Sequence, residues 1–295
     1  MNKNIVVTGA SGFVGSNLVK FLLNNDFQVF VIVREESNLI NLEGLINEIK
    51  VFRYDNNLER LIDYFKKTKP KCVFHLASNF IAEHEFNQID SLVRSNITFG
   101  LHLLEAMKET GVKELINTGT SWQYFENNEY NPVCLYAATK QAFEALIEYY
   151  VKAEGFKSIT LSLFDTYGEN DRRPKLINLL NKFADDGNEI NLSPGEQMLN
   201  LVHVLDVCRA YVCAYRLLED QNFHTSKSYS VKNFQNYNLR EVIEVFENVS
   251  GKKLNINWGG RVYRKREVMK LSNKFDVLPN WTPKINLEKG LLRFN

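Results

Sequence analysis

The chain has 295 residues, of which 44% are hydrophobic and 24% charged, with 36 basic and 35 acidic side chains. This composition is typical of a globular protein with a sizeable core, and its balanced charge does not favour a nucleic-acid partner. The four cysteines form neither a C-x-x-C pair nor a zinc-type Cys/His cluster, so we expect reduced thiols and no metal site. No apolar run has the length of a signal peptide core or a membrane span, which predicts a soluble, cytoplasmic protein without a membrane partner.

The first half of the chain alternates short β-rich runs with longer segments of helical periodicity, which is typical of βαβ units. Six strands are predicted, at Ile5 to Thr8, Val29 to Val33, Val51 to Tyr54, Cys72 to Leu76, Leu115 to Thr118 and Ile159 to Leu163. Helices are predicted between them, at Gly12 to Asn24, Leu58 to Lys67, Leu92 to Thr110 and Leu135 to Ala153. Right-handed crossovers between such strands give an α/β fold of the Rossmann type, with a doubly wound parallel sheet.

A glycine-rich turn follows the first strand and opens the first helix, in the run Thr8-Gly9-Ala10-Ser11-Gly12-Phe13-Val14-Gly15. Gly9 permits a tight turn, Gly12 lets a pyrophosphate approach the backbone, and Gly15 lets the helix pack closely on the strand. The helix N-terminus offers free N–H groups to the anion. The position between strand and helix favours a dinucleotide-binding turn over a plain turn, and we include Ser11 and Phe13 among its contacts.

The end of the second strand indicates which dinucleotide is bound, because the side chain there meets the adenosine ribose. Arg34 ends the run Val31-Ile32-Val33-Arg34 and suits a 2′-phosphate, so we expect NADP(H) rather than NAD(H). Glu35 and Glu36 follow directly, so a shift of one residue in the strand end would reverse this prediction. A solvated surface arginine is the alternative interpretation.

Further cofactor contacts are predicted after the third and fourth strands. Asp55 and Asn56 follow the third strand, and Asp55 either caps the next helix or holds the adenine amine. Leu76, Ala77 and Ser78 end the fourth strand, where small residues let ribose and phosphates lie close. Core packing is an equal alternative for Leu76.

Tyr136 and Lys140 are four residues apart at the start of a predicted helix, so both project from one face. A tyrosine has a pKa near about 10, and a nearby ammonium group favours the phenolate, so we expect Lys140 to lower the pKa of Tyr136. A hydroxyl at the end of the fifth strand should orient the substrate oxygen. Thr118, Thr120 and Ser121 are the candidates, and we prefer Thr120 with Ser121 in reserve. A polar loop with an incidental threonine is the alternative.

The chain becomes less regular beyond Asp165. Helices are predicted at Leu176 to Asp185 and near Val204 to Leu218, with a turn at Pro194-Gly195 between them. We expect residues 1–165 to form the NADP-binding domain. Residues 166–295 should form mainly a smaller C-terminal substrate-binding lobe, with some segments packing back, that closes over the carboxyl ends of the strands.

Together these motifs resemble the extended short-chain dehydrogenase/reductase family, also called the NAD-dependent epimerase/dehydratase family. The resemblance covers nearly the whole chain and rests on Thr8 to Gly15, Asp55 with Leu58, His75 to Ser78, Asn96, Thr120, Tyr136 with Lys140, Tyr167-Gly168, Gly195 to Gln197, Val202 to Val207 and Tyr263-Arg264. It implies that Asn96 contacts the cofactor and that a nucleotide sugar lies between the cofactor and the C-terminal lobe. It also implies a homodimer built on the helices Leu92 to Thr110 and Leu135 to Ala153, whose apolar stripes could equally be core.

Within the family, the residues favour a reduction. Dehydratases carry an acidic pair directly after the catalytic hydroxyl, whereas Ser121 and Trp122 stand there in this chain. Epimerases retain NAD, whereas Arg34 favours NADP. The runs Thr118 to Gln123 and Leu135 to Gln141 are similar to those of nucleotide-sugar 4-ketoreductases such as the CDP-abequose and CDP-paratose synthases.

The resemblance therefore implies NADPH-dependent reduction of the C4 ketone of a 4-keto-6-deoxy or 3,6-dideoxy hexose, with Tyr136 as general acid. Ser121, Asp165, Lys175 and Arg264 are the candidate substrate contacts, and a solvated surface cation is the alternative for Lys175 and Arg264. Leu199 stands where many relatives carry a phosphate-binding arginine, and the loop from Thr120 to Tyr136 is shorter than usual, so the sugar is left open. An NAD-dependent epimerase and a non-catalytic dinucleotide sensor are the competing functions.

Overall fold

A computed structural model describes residues 3–127, 129–223 and 225–294 of the protein. The strands are β1 (Asn4–Thr8), β2 (Gln28–Arg34), β3 (Lys50–Tyr54), β4 (Cys72–His75), β5 (Glu114–Thr120), β6 (Lys157–Leu163), β7 (Asp165–Tyr167), β8 (Glu189–Leu192), β9 (Met198–Leu199), β10 (Leu201–His203), β11 (Ser226–Val231), β12 (Tyr237–Asn238) and β13 (Asn255–Trp258). Within these described ranges, seven parallel strands form the main sheet in the order β11-β6-β5-β4-β1-β2-β3.

Helices connect the strands and cover the sheet. The α-helices are α1 (Phe13–Leu23), α2 (Leu58–Thr68), α3 (Ile89–Val93), α4 (Phe99–Glu109), α5 (Leu135–Glu154), α6 (Leu176–Asp186), α7 (Val204–Leu218), α8 (Leu239–Ser250) and α9 (Leu287–Leu291). Short 3₁₀ turns lie at Ile40–Leu45, Phe86–Gln88, Ser121–Gln123, Phe125–Asn127 and Leu292–Phe294, and a π-helical turn at Arg94–Thr98. Among the described residues, no helix combines the length and apolarity needed to cross a membrane.

Two apolar cores cover the two faces of the main sheet. One core is built from side chains of α1 and α7, and the other from side chains of α2, α4 and α5. Strands covered on both faces need nearly continuous apolar runs, and β1, β2, β4 and the start of β5 have them. The prediction of a doubly wound parallel sheet is therefore confirmed, and all six predicted strands are present, each end within two residues of its predicted position.

The predicted continuous helix from Leu92 to Thr110 is wrong. The chain instead forms α3, then the π-helical turn Arg94–Thr98, then α4. Asn96 lies in that turn and is buried, and its amide bonds the backbone of Asn79 and the hydroxyl of Thr139. These contacts with a loop and another helix hold the wider winding, and no local periodicity encodes them.

The second half of the chain contributes both to the main sheet and to a smaller lobe. β11 extends the sheet beside β6, and α7 packs against α1 on one face. The lobe contains three two-stranded pairs, β7 with β10, β9 with β12 and β8 with β13, which share an apolar core with α6, α8 and α9. β11 lay outside the predicted strands, and the domain boundary at residue 165 stays a prediction.

Asp206 ties the C-terminal segment to the first turn of α7. It is fully buried, and its carboxylate accepts the backbone N–H groups of Lys284 at 2.8 Å and Ile285 at 2.9 Å while pairing with Arg209. A carboxylate in a first turn also faces the positive end of the helix dipole. This contact holds residues 284–285 against the sheet domain.

We expect Asp206→Ala to lower the free energy of unfolding by about 3 kcal/mol, because it leaves two backbone N–H groups and an arginine without their acceptor. Asp206→Asn keeps one acceptor oxygen and should cost about half as much. Urea unfolding followed by circular dichroism measures both. Equal losses for the two variants would show that the acceptor oxygens are not what stabilises this segment.

Candidate functional site

The glycine-rich turn joins β1 to α1 and leaves the helix N-terminus open. Gly9 has a φ of 69°, in the left-handed region, and Gly12 N–H donates to Gly9 O at 3.1 Å. Gly12 is the N-cap of α1 and supplies no side-chain cap, and the first turn of the helix carries no acidic residue. A Cβ on Gly15 would lie 2.2 Å from Gly9 O, so only glycine lets the helix approach the turn. The N–H groups of this helix start are therefore available to an anion.

The loop after β4 lies beside this turn and is held by Thr8. The Thr8 hydroxyl accepts the N–H groups of Leu76 at 3.2 Å and Ala77 at 3.1 Å, which leaves its proton for His75 Nδ1 at 2.9 Å. A Cβ on Gly9 would lie 2.6 Å from Ala77 N, so the two loops touch through their backbones.

The two loops border a large cavity at the carboxyl edge of the sheet. Its volume is about 650 Å³. The predicted cofactor contacts on its wall are Gly9, Ser11, Gly12, Phe13, Gly15, Arg34, Asn56, Leu76, Ala77, Ser78 and Tyr136. The structure therefore brings together residues that are separated by more than a hundred positions in the chain.

Arg34 lies at the end of β2, as predicted, and lines the cavity. Its side chain is 72% exposed, and its Nε lies 3.4 Å from a carboxylate oxygen of Glu36. An exposed pair of this kind contributes little to stability, so a phosphate could displace Glu36 at low cost.

Two predicted cofactor contacts are engaged elsewhere. Asp55 pairs with Arg60 and accepts Asn57 N–H at 3.3 Å, so its carboxylate supports the start of α2 while the neighbouring Asn56 lines the cavity. The buried amide of Asn96 is used by the protein itself, through the backbone of Asn79, and positions the loop after β4.

Two of the three predicted catalytic side chains line the cavity where β5 ends and α5 begins, and the third, Lys140, is not among the residues on its wall. Thr120 ends β5 and lines the cavity, Tyr136 is 8% exposed in the first turn of α5, and Lys140 is 1% exposed one turn further on. The geometry favours Thr120 over Thr118, because the Thr118 hydroxyl already bonds Tyr211 at 2.5 Å and His75 O at 2.8 Å. Ser121 also lines the cavity.

Burial dominates the protonation of Tyr136 and Lys140. It raises the pKa of Tyr136 to about 12, against a lowering by the Ser78 hydroxyl. It lowers the pKa of Lys140 to about 8, while the carboxylate of Glu144 on the same helix acts in the opposite direction. The expectation that Lys140 lowers the pKa of Tyr136 is therefore wrong for the protein alone, because desolvation of the phenolate dominates and the only opposing contribution comes from Ser78.

Aromatic side chains wall the cavity beside Tyr136. The ring of Phe80 lies 5.0 Å from that of Tyr136 and 5.6 Å from that of Trp122, and all three line the cavity. Lys175 Nζ lies 4.0 Å from the centroid of Phe80. No motif in the sequence pointed to Phe80, and its place two residues after Ser78 was the available signal.

The four predicted substrate contacts do not all face one space. Ser121, Asp165 and Lys175 line the large cavity, whereas Arg264 lines a neighbouring one of about 60 Å³ that shares Ser121 and Asp165. Arg264 stacks over Trp122 at 5.1 Å and pairs with Glu267 at 2.7 Å. Burial raises the pKa of Asp165 and lowers that of Lys175, and each partly offsets the shift of the other.

Arg173 lies on the cavity wall beside Lys175, and no sequence motif had assigned it to the site. It stacks over Phe13 at 4.6 Å and pairs with Asp171 at 2.7 Å. It thus connects the segment before α6 to the start of α1.

Comparison with known proteins agrees with this geometry. Residues 5–229 match the model of the NAD dependent epimerase/dehydratase family, and the chain belongs to that family. A CDP-abequose synthase from Yersinia pseudotuberculosis is 28% identical over 275 residues, covering 92% of each chain. A UDP-glucose 4-epimerase from Halalkalibacterium halodurans is 26% identical over 314 residues, covering 95% of this chain and 90% of that protein.

A solved structure supports the fold assignment. The UDP-glucose 4-epimerase of Thermotoga maritima, determined with UDP-glucose, superposes with a TM-score of 0.85 at 23% identity. The match covers 98% of this chain and 96% of that one. The predicted Rossmann-type fold and family are therefore both confirmed.

We expect Lys140→Met to stabilise the protein by about 1 to 2 kcal/mol at pH 7, because methionine removes a charge that is buried in the folded state. The folded pKa of Lys140, about 8, lies below its ordinary value of 10.5. The unfolded chain therefore binds more protons between these values, and wild-type stability should rise as the pH rises through this window. The advantage of the variant should shrink accordingly.

Urea unfolding of both proteins at pH values near 7 and near 10 measures this effect. A gain of equal size at the two values would contradict the assignment of the cost to the buried ammonium group.

Proposed function

We propose that the protein reduces the C4 ketone of a nucleotide-linked 4-keto-6-deoxy or 3,6-dideoxy hexose with NADPH. The observation that carries the proposal is the pair Thr120 and Tyr136 on the wall of a cavity that also reaches the open start of α1 and Arg34, with Lys140 buried one turn further along α5. The likeness to a CDP-abequose synthase over 92% of the chain supports a nucleotide-sugar substrate.

The site has features that fit a dinucleotide. The N-terminus of α1 lacks a side-chain cap and would receive the pyrophosphate, and Arg34 at the end of β2 would receive a 2′-phosphate. Leu76, Ala77 and Ser78 would lie along the ribose. When bound, NADPH supplies a hydride, and the protein supplies position and charge.

Tyr136 is suited to the role of general acid. Burial keeps its hydroxyl protonated at neutral pH, so it holds the proton that the oxygen on C4 takes up as the C=O bond is reduced. Because burial also makes the phenol a weaker acid, a nearby positive charge must stabilise the phenolate during the transfer. Thr120 would orient the oxygen on C4. Its Oγ accepts Trp122 N–H at 3.3 Å, which leaves the hydroxyl proton free to donate to the substrate. The ammonium group of Lys140 would bond the nicotinamide ribose and favour the phenolate that remains after the transfer.

The sugar end of the cavity supports a deoxygenated substrate. Phe80 and Trp122 present apolar surface beside Tyr136, and Lys175 and Asp165 lie further along the wall. A methyl group packs against such rings without leaving a hydroxyl unpaired.

An NAD-dependent nucleotide-sugar epimerase is the second candidate, and the match to a UDP-glucose 4-epimerase favours it. Such an enzyme returns the hydride it takes, so it shows no net consumption of NADPH. A 4,6-dehydratase is disfavoured because Ser121 and Trp122 stand where an acidic pair is needed. A non-catalytic sensor would have no use for the buried Lys140.

We also propose a cytoplasmic homodimer. Ile89, Val93 and Tyr149 on α3 and α5 are 40%, 39% and 60% exposed, and burial of these side chains in a second copy would remove apolar surface from water. Sedimentation velocity of the purified protein measures the oligomeric state.

Tyr136→Phe should lower kcat by about 10² to 10⁴-fold, because it removes the general acid but keeps the ring. NADPH consumption is followed by absorbance with a panel of CDP-, dTDP-, GDP- and UDP-4-keto-6-deoxyhexoses. Binding of NADPH to the variant, measured by fluorescence, should stay within about threefold of wild type, since the catalytic hydroxyl contributes little to cofactor affinity.

The wild-type protein decides between the candidate reactions. Consumption of NADPH with one nucleotide, lost in Tyr136→Phe, supports the reductase and identifies the base. Isomerisation of a saturated nucleotide sugar by protein that retains NAD, without net consumption of NADPH, would move the assignment to the epimerase.

Arg34→Ala should raise the KM for NADPH by about 10 to 100-fold, the effect of losing a charge-assisted contact to the 2′-phosphate. The KM for NADH should change by less than about threefold, because NADH lacks that phosphate. Arg60→Ala is the matched control, since this nearby arginine pairs with Asp55. A wild-type preference for NADH, or equal effects on both cofactors, would contradict NADP specificity.

A further inference from the structure

Gln123 is a buried amide at the back of the site. It is 1% exposed and ends the 3₁₀ turn Ser121–Gln123, two residues beyond Ser121. Its Oε1 accepts Thr120 N–H at 2.9 Å. Its Nε2 donates to Gln141 Oε1 and to Glu144 Oε1, both at 2.8 Å.

These bonds fix the orientation of the amide. The partner at one end is an N–H donor and the two partners at the other end are acceptors, so exchanging Oε1 and Nε2 would break all three bonds. Both hydrogens of Nε2 are used. The Gln123 side chain therefore joins the strand end that carries Thr120 to the helix that carries Tyr136 and Lys140.

Close neighbours confine this amide on two sides. A Cβ on Gly119 would be 3.1 Å from Gln123 Oε1 and 3.2 Å from Glu144 Oε1, so glycine admits the pair against the backbone of β5. The Tyr124 hydroxyl donates to Gln141 Oε1 at 3.1 Å and closes the group from the other side.

Thr120 is held at two points by the same turn. The backbone N–H of Thr120 donates to Gln123 Oε1, and its hydroxyl oxygen accepts Trp122 N–H. Both the backbone and the side chain of Thr120 are therefore oriented. The hydroxyl proton remains available for the cavity. The side-chain amide of Gln123 therefore fixes the position of Thr120 relative to α5. Glu144, one of the partners of Gln123 on that helix, lies one turn after Lys140.

We propose that Gln123 is a positioning residue for catalysis, which holds the Thr120 hydroxyl in register with Tyr136 and Lys140 by bonding Gln141 and Glu144. This role rests on the proposed reduction. Catalytic groups displaced by about 1 Å lose much of their rate, so the connection should act on the reaction more than on binding.

The test compares Gln123→Met, which keeps size but removes all three bonds, with wild type in the same assay. We expect kcat to fall by about tenfold or more, while the KM for NADPH changes by less than about twofold, because the altered bonds lie behind the substrate oxygen rather than along the cofactor. Gln123→Glu is the second variant if the first is insoluble. It keeps an oxygen that accepts Thr120 N–H, but it replaces the NH₂ group that donates to Glu144 with a carboxylate oxygen. Two carboxylates would then face each other, so kcat should fall as well.

Asn238→Ala is the stability control, because it removes the cap that accepts Glu241 N–H at 2.9 Å at the start of α8. It should lower the melting temperature and leave kcat unchanged. A kcat for Gln123→Met within twofold of wild type would overturn the proposal. The proposal would also be overturned if kcat fell together with the melting temperature in both Gln123→Met and Asn238→Ala, because the loss of rate would then follow from lost stability.

Hydrogen exchange of the peptide covering residues 114–124 separates this proposal from the proposed function. Loss of the bond to Thr120 N–H should speed exchange in that peptide by about tenfold in Gln123→Met. A wild-type protein without turnover on any 4-keto sugar would refute the reduction. Unchanged exchange in the variant would refute the connection itself.

Discussion

Lys140 carries its ammonium group into the space between α5 and the sheet, where only 1% of the residue is exposed. A charge in that place is unfavourable, and the lowered pKa of Lys140 records the cost. The helix must lie close to the sheet to keep it there. Gly119 in β5 permits this closeness, because a Cβ on it would be 3.2 Å from Glu144 Oε1 on α5. The same packing sets Tyr136 at the cavity and Glu144 behind it.

The elements that local patterns encode could be predicted from the sequence. The strands buried on both faces are continuous apolar runs, and their predicted ends lie within two residues of the observed ones. β11 was missed because Ser226 to Val231 carries two apolar residues among four polar ones, so it lacks the continuous apolar run of the central strands. The π-helical turn at Arg94–Thr98 was missed because the contacts of Asn96 come from Asn79 and Thr139.

The same distinction separates the site residues. Gly9, Gly12 and Gly15 were recognisable because each answers a backbone requirement of one turn. The partners of Asp55 and Arg264 are Arg60 and Glu267, and which nearby carboxylate or cation a side chain chooses depends on rotamers that spacing does not specify. The role of Gln123 could not be predicted from the sequence, because it depends on an acceptor, Glu144, that lies 21 positions away in the chain.

The direction of proton transfer follows from the opposite shifts of Tyr136 and Lys140. Burial disfavours the charged form of each, so it raises the pKa of the phenol and lowers that of the ammonium group. A protonated tyrosine at neutral pH is ready to give a proton, which reduction requires, whereas oxidation of a hydroxyl requires a phenolate first. An epimerase needs both directions in each cycle, so its tyrosine must be brought closer to neutrality by the bound cofactor. In either reaction a positive charge near the phenolate would ease the proton transfer, and Lys140, one turn further along the same helix as Tyr136, is the cation placed to supply it.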